Sequence, residues 1–399
     1  MKNGLRKFKN LVVTTLTISL VMASYCFASQ ETYDAGAYTQ NKASTSSKTY
    51  NVKDFGAKGD GVADDLKAIQ AAIDQASQTA DGSTVYFPKG IYLVEEIIVL
   101  KSNITLKLDS EAVILNGINQ VNHPSIPFMS GPFTEDGEQV EWEPISNVTI
   151  DGGTLDMNGR LNAEGTKPEN LPLINSSGGF ALGYCSDITI KNMTVKNAFN
   201  GHAIQLANVT NVLIDNCSFE GQSLPADAKD SSVITKEFIQ IEPGTRNGFP
   251  YSASENKKAT SHVVIKNCYF GKSDECGEPV TFIGTHNQVA GVEKCNNITI
   301  KGNTFDNPYY CGIRFCGYDK LDIVNNSFIS KKTEDSVQKR TDGRVMINAY
   351  CYNDKSKEPV VPNSNITIGN NTMSIEDNGC RGIRVARDDN AQGKSIGFP

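Results

Sequence analysis

Over most of the chain, apolar and polar residues alternate in short runs that close on an aliphatic residue and then break at an asparagine. Between Asp187 and Phe219 one phrase, N/D-[IV]-x-I-x-N-x-x-[FV], is written twice, with Ile190 and Ile214 equivalent and 24 residues apart. It recurs around Ile150, Ile265, Ile300, Ile323 and Ile368, and more weakly around Leu106. The shortest spacings are 23 and 24 residues, so longer ones are that unit plus an insertion. A period in the low twenties with two or three strands per unit predicts a parallel β-solenoid, because one unit cannot bury its inner face alone. Alternation sends Val212 and Ile214 inward and Leu213 and Asp215 outward, and leaves Asn216 where the chain must bend. Asn192, Asn267, Asn325 and Asn370 fall at the same place, with Gly302 in one copy. Asn and Gly tolerate the left-handed conformation such a bend requires, and stacked Asn side chains can bond from coil to coil.

A second alternation lies between these phrases, in His202–Ala207, Glu237–Glu242, Cys311–Cys316, Val345–Tyr350 and Arg381–Ala386. Aligned, Ile204, Ile239, Ile313, Ile347 and Ile383 form an inward column, and the next position reads Gln205, Gln240, Arg314, Asn348, Arg384, facing outward. Amide and guanidinium groups repeating about 4.8 Å apart suit a groove for an extended sugar chain. A plainly solvated sheet face would also be polar. The absence of Lys, Ser and Thr from the column, and the insertions 220–236, 243–260 and 330–343 beside it, favour the groove. The strand Glu278–His286 fits two registers. With Ile283 inward, His286 comes level with Glu242; with Val280 inward, Thr281 joins the polar column.

Composition then narrows the setting. Lys2, Arg6, Lys7 and Lys9 precede an apolar run ending near Met22, and Cys26-Phe27-Ala28 suits a signal peptidase, so residues 1–28 read as a secretory signal and the protein as secreted and extracellular. That run is too short for a membrane span. Residues 29–49 lack a period and read as a disordered spacer, leaving 50–399 for one solenoid, expected as a monomer. The net charge of -7 argues against nucleic acid as a partner. Nine cysteines follow the signal without C-x-x-C pairs, a poor disulfide or metal framework; Cys217 and Cys268 hold one place in successive copies and should stack inside.

Near the start, Asp64 can cap a helix with Asp65 in its first turn, and Leu66, Ile69, Ala72, Ile73 and Ala76 give it one apolar stripe. Such a helix would cover the open end of the first coil. Asp60, Asp64 and Asp65 read as turn and cap residues before they read as catalytic carboxylates. The D-F-G-A-K-G-D-G run from Asp54, the A-I-Q-A-A-I of the helix and V-Y-F-P-K-G-I-Y from Val85 resemble the pectate-lyase-like superfamily of right-handed parallel β-helices. That superfamily includes polygalacturonases, rhamnogalacturonases, alginate epimerases and phage depolymerases. The resemblance implies an all-β, single-stranded right-handed parallel β-helix with an N-terminal capping helix, acting on an acidic, uronate-containing, pectin-like polysaccharide.

Two kits of chemistry are available. A glycosidase wants two carboxylates across the scissile bond, for which Glu237 and Glu242 lie on one strand, with Asp274, Glu275 and Glu278 nearby. A lyase wants a base and a cation to neutralise a uronate, and His202, His286, Arg314 and Arg384 supply that set, with Glu242 as helper or metal ligand. Gly201-His202-Ala203 matches part of the polygalacturonase G-H-G and Gly312-Ile313-Arg314 echoes its R-I-K, but N-T-D and D-D are missing between Asp187 and Gly284, as is the epimerase D-P-H-D. Cleavage by β-elimination is therefore the first expectation, hydrolysis the second, and a non-catalytic glycan-binding solenoid the rival from another class. The sequence leaves calcium open. Tyr310 and Tyr350, beside the column, are candidate sugar-stacking residues with Tyr309 and Tyr352; Trp142 suits stacking or packing equally.

Overall fold

The repeated phrase stacks in register from coil to coil. Val148, Ile188, Val212, Val263, Ile298, Leu321 and Ile366 form one inward column, and Ile150, Ile190, Ile214, Ile265, Ile300, Ile323 and Ile368 another. The structure is a computed structural model describing residues 48–79, 82–119, 124–133, 140–160, 176–225, 236–246, 248–286, 291–332, 344–351, 361–376 and 379–387. Each full coil contributes three strands. After the asparagine bend the chain enters a second sheet, of ten strands, whose inner side carries Phe219, Phe270, Phe305 and Phe328 in a stack with centroids 4.9, 4.9 and 4.8 Å apart. It then lays down a third ladder, the one bearing the polar column, and turns back into the first. Two long strands, Phe180–Lys191 and Ile204–Asp215, run through both the third and first ladders and join them into one sheet. Every ladder is parallel, and parallel crossovers are right-handed. The fold is a right-handed parallel β-helix.

The bends behave as their side chains predict. Asn192, Asn216, Asn267, Asn325 and Asn370 have φ between 53 and 57°, and Gly302 has 66°. Asn216 Nδ2 donates to Asn192 Oδ1 at 2.9 Å, one coil away. One position further on lies a second stack, inside: Cys217 and Cys268 are buried neighbours, and Asn303, Asn326 and Asn371 continue the line with amide bonds of 3.0 Å between successive coils. Cys185, Cys217, Cys268, Cys276 and Cys295 are buried free thiols. On the outer face of the first ladder the signs alternate, Lys107, Asp151, Lys191, Asp215, Lys266, with ion pairs of 2.8 Å (Lys107–Asp151), 3.7 Å (Lys191–Asp151) and 3.2 Å (Lys266–Asp215).

The helix Leu66–Ser77 buries Ile69, Ala72, Ile73 and Ala76 against the first strands, covering that end of the coil. Its cap differs from expectation by one residue. Asp65 holds the cap position and makes no capping bond; its buried carboxylate instead accepts from the Lys58 and Gly59 amides, at 2.5 and 2.9 Å. Asp64 Oδ1 accepts from Leu66 N at 3.1 Å, and Asp60 Oδ1 from Val62 N and Ala63 N at 2.9 Å. All three acids hold turns. Every described residue belongs to the unit Tyr38–Pro399; the unit Met1–Ala37, with the expected signal, lies outside them, as does the spacer up to Ser47 and most of the insertions 220–236 and 330–343. Among the described residues no helix is long and apolar enough to cross a membrane.

Candidate functional site

In the third ladder Phe180, Ile204, Ile239, Ile283, Ile313, Ile347 and Ile383 pair in register, so Ile283 and not Val280 takes the inward column. The outer column beside it reads Met129, Ala181, Gln205, Gln240, Gly284, Arg314, Asn348, Arg384. Its first members are apolar and lie under two insertions, where Trp142 and Phe249 pack edge to face at 5.4 Å. The polar part was expected to face solvent. It does not: Gln205, Gln240, Arg314 and Asn348 are buried, and Arg384 is half-buried.

Burial is possible because the polar groups satisfy one another. Gly284 leaves a gap in the column, where a Cβ would meet Glu237 Cγ at 2.6 Å. Through that gap Glu237 reaches across a whole strand to accept from Arg314 Nη2, which also donates to the Thr285 carbonyl at 3.1 Å. Burial works against the Glu237 charge, but Arg314, then His286 and His202, hold its pKa below the usual range. Arg314 is thus engaged within the protein by Glu237 and the Thr285 carbonyl. Glu237 Oε2 and Asn348 Oδ1 are buried oxygens without a hydrogen-bond partner among the described residues.

Glu242, 3% exposed, gathers donors at Oε1: Thr285 Oγ1 at 3.1 Å, the His286 amide, and Gln240 Nε2 at 3.2 Å. His286 Nδ1 lies 3.2 Å from the same oxygen and Nε2 lies 4.0 Å from Glu237 Oε2. Burial opposes charge on this ring, yet the bond and charge of Glu242 and the charge of Glu237 outweigh it and raise its pKa to about 9. The charged ring donates from Nδ1 to Glu242, whereas a neutral ring would accept there from Gln240 Nε2, 2.9 Å away. His202 sits 6.5 Å from His286, ring to ring. Burial, reinforced by Lys236 and His286 against the pull of Glu237, lowers its pKa to about 4, so the neutral ring donates from Nδ1 to the Glu237 carbonyl. Both rings are half-buried and open to the surface.

The structure thus brings together His202, His286, Glu237, Glu242, Gln205, Gln240 and Arg314, and leaves other candidates elsewhere. Glu275 is held by Arg160 at 3.1 Å and Lys196 at 3.2 Å, and Glu278 accepts from Asn307 at 3.0 Å. Tyr310 is buried among Val280, Cys311 and Val345, not presented for stacking. Trp142 packs, its Nε1 donating to the Pro132 carbonyl at 2.9 Å. The side chain of Tyr350 and all of Tyr352 lie outside the described residues. Among the described residues no group of three or more His, Cys, Asp or Glu side chains is arranged to hold a metal ion. Sequence reasoning missed Tyr251. It sits in the insertion after Glu242 with its hydroxyl beside Gln205, which donates to Gln240 Oε1 at 2.7 Å. The one signal for it was Gly248-Phe-Pro-Tyr251, an aromatic pair in an insertion leaving the column.

A parallel β-helix with a cluster of polar and charged side chains on one ladder defines a class, and sequence comparison places the chain within it. The family described as rhamnogalacturonase A/epimerase, pectate lyase-like, matches residues 49–272, and the chain belongs to that family. Plasmin and fibronectin-binding protein A of Streptococcus pneumoniae is 52% identical over 338 residues, which cover 85% of this chain and 47% of that protein. The chain thus spans about half the length of that relative. A crystal structure of PfbA, described as a surface adhesin of Streptococcus pneumoniae, superposes with a TM-score of 0.82 at 51% identity, over 87% of this chain and 75% of that one. A tailspike protein of E. coli bacteriophage HK620, solved with a pentasaccharide, shares the fold alone, with a TM-score of 0.59 at 14% identity over 86% and 60% of the two chains.

Proposed function

We propose that this protein is an extracellular or surface-displayed binding solenoid that holds a glycan over the His202–His286 pair and does not cleave it. The observation that carries this reading is the engagement of both candidate carboxylates within the protein: Glu237, 0% exposed, by Arg314, and Glu242 by Thr285, Gln240 and His286. Hydrolysis needs two carboxyl groups facing a scissile bond between them. Elimination needs a base of suitable pKa and a cation left for the uronate. His202, with a pKa near 4, is a weak base, and the charges of Arg314 and His286 are met by Glu237 and Glu242. The description of PfbA as a surface adhesin supports binding and an outer location. The name of the relative from Streptococcus pneumoniae adds a second reading, a protein ligand.

The test is incubation of the purified chain with a panel of acidic and neutral polysaccharides, with plasmin and fibronectin alongside. Saturable binding to a polysaccharide is expected, with neither new reducing ends nor the absorbance of an unsaturated uronate. Release of product from any of them would restore the enzyme reading, and binding confined to the two proteins would replace the glycan with a protein ligand.

A further inference from the structure

We infer that the ring of Tyr251 is the platform on which a pyranose unit of the bound glycan stacks. This deepens the binding function proposed above and rests on it. The tyrosine is held from three sides. Its ring is perpendicular to that of Phe249, with centroids 5.1 Å apart, and Phe249 in turn stands edge-on to Trp142 at 5.4 Å and to Tyr184 at 6.3 Å. Its hydroxyl lies beside the Gln205 side chain of the polar column. The insertion is closed on itself by Gly244 N to Lys258 O at 2.8 Å and Lys257 N to Gly244 O at 2.9 Å, and pinned to its neighbour by Ala253 N to Val140 O at 2.9 Å.

While Phe249 and Trp142 are buried by this packing, Tyr251 is only partly buried. A fixed aromatic face beside bonded amides is what a sugar ring can use. Its contiguous C–H face covers the aromatic ring and its hydroxyls reach polar neighbours, with little ordering left to do on binding. From Gln205 the hydrogen bonds run to Gln240 and on to Glu242 and His286, so the platform stands at one end of the polar line whose other end is the His202–His286 pair. The ligand class is a glycan with at least one pyranose that presents an uninterrupted C–H face.

Trp142 is the only tryptophan and lies one ring beyond Phe249, so its fluorescence reports on this cluster. Titrations of the full chain with homogalacturonan, alginate and a neutral galactan, followed by Trp142 emission and by calorimetry, compare wild type with Tyr251→Phe and Tyr251→Ala. Tyr251→Phe, which keeps the ring, should bind within about threefold of wild type, and Tyr251→Ala should lose about tenfold or more. Should the alanine variant fail to fold by circular dichroism, Tyr251→Leu keeps contact with Phe249 but offers no flat face, and the same loss is expected. Undiminished binding by the folded Ala or Leu variant overturns the platform, as does equal loss in Tyr251→Phe, which would assign the effect to the hydroxyl. If wild type binds none of the three polysaccharides in either assay, the glycan reading itself fails, and the platform with it.

Discussion

Because His286 lies between Glu242 and Glu237, its proton is harder to remove in the folded chain than in the unfolded one. The folded pKa of about 9 exceeds the ordinary 6.5, so the stabilisation is fully present below pH 6.5 and is lost as pH rises through 9. His202 runs the other way. Kept neutral, it favours the folded chain above pH 6.5, and that contribution disappears as pH falls through about 4. Denaturant titrations across pH 6 to 10 should show wild type losing stability relative to His286→Gln over the window from 6.5 to 9; a constant difference between the two would remove the carboxylate account of this ring. Much of the site could be read from the sequence at this scale, because the isoleucine column fixes which residues are neighbours: Gln205 meets Gln240, and His286 comes level with Glu242. The pairing of Glu237 with Arg314 could not. It spans two coils through the space that Gly284 leaves, and alternation says which face a side chain takes, not how far it reaches along it. For the same reason alternation marks Arg314 only as outward-facing and gives no sign that Glu237 meets its charge inside the protein.

At the level of the strand and its bend, the exposed and buried asparagines do different work. Asn216 tolerates a left-handed backbone and makes one exposed bond, to Asn192, with which water competes, so Asn216→Gly should change stability by less than about 1 kcal/mol. Asn326 is buried and four-bonded: Oδ1 accepts from Asn303 N and Nδ2 at 2.9 and 3.0 Å, and Nδ2 donates to Ile300 O at 2.9 Å and Asn371 Oδ1 at 3.0 Å. Asn326→Ala strands several buried partners, each costing about 1–3 kcal/mol, so a total near 3 kcal/mol or more is expected by equilibrium unfolding. Similar costs for the two substitutions would show the inner stack to be dispensable. The bends were legible because Asn recurs at a fixed place in the phrase. The inner stack was not, since Asn325-Asn326 and Asn370-Asn371 read as a single bend and the equivalent places earlier in the chain hold Cys217 and Cys268. The helix was legible from its stripe; its cap was off by one because Asp65 is drawn to the preceding turn.

For the molecule as a whole, one apolar core runs without a break from Tyr50 to Ile347, and each coil leans on its neighbours for its inner surface. A single cooperative loss of β-signal on heating is expected, and a proteolytic fragment with a transition of its own would argue for two separately stable parts. The family relation accounts for the scaffold, while the candidate site is built from what departs from the repeat: the insertion carrying Phe249 and Tyr251, the glycine at 284, the His286 that follows it. The charge ladder on the first sheet has a consequence of another kind. In a stack where equivalent positions touch, the order Lys107, Asp151, Lys191, Asp215, Lys266 acts as a parity mark. Excising the coil that carries Lys191 would seat Asp151 on Asp215, whereas excising the next one as well would seat it on Lys266 and restore opposite signs. Each exposed pair is worth about 1 kcal/mol at most, so the bias is mild, but over this part of the solenoid the chain can be shortened or lengthened more comfortably by two coils than by one.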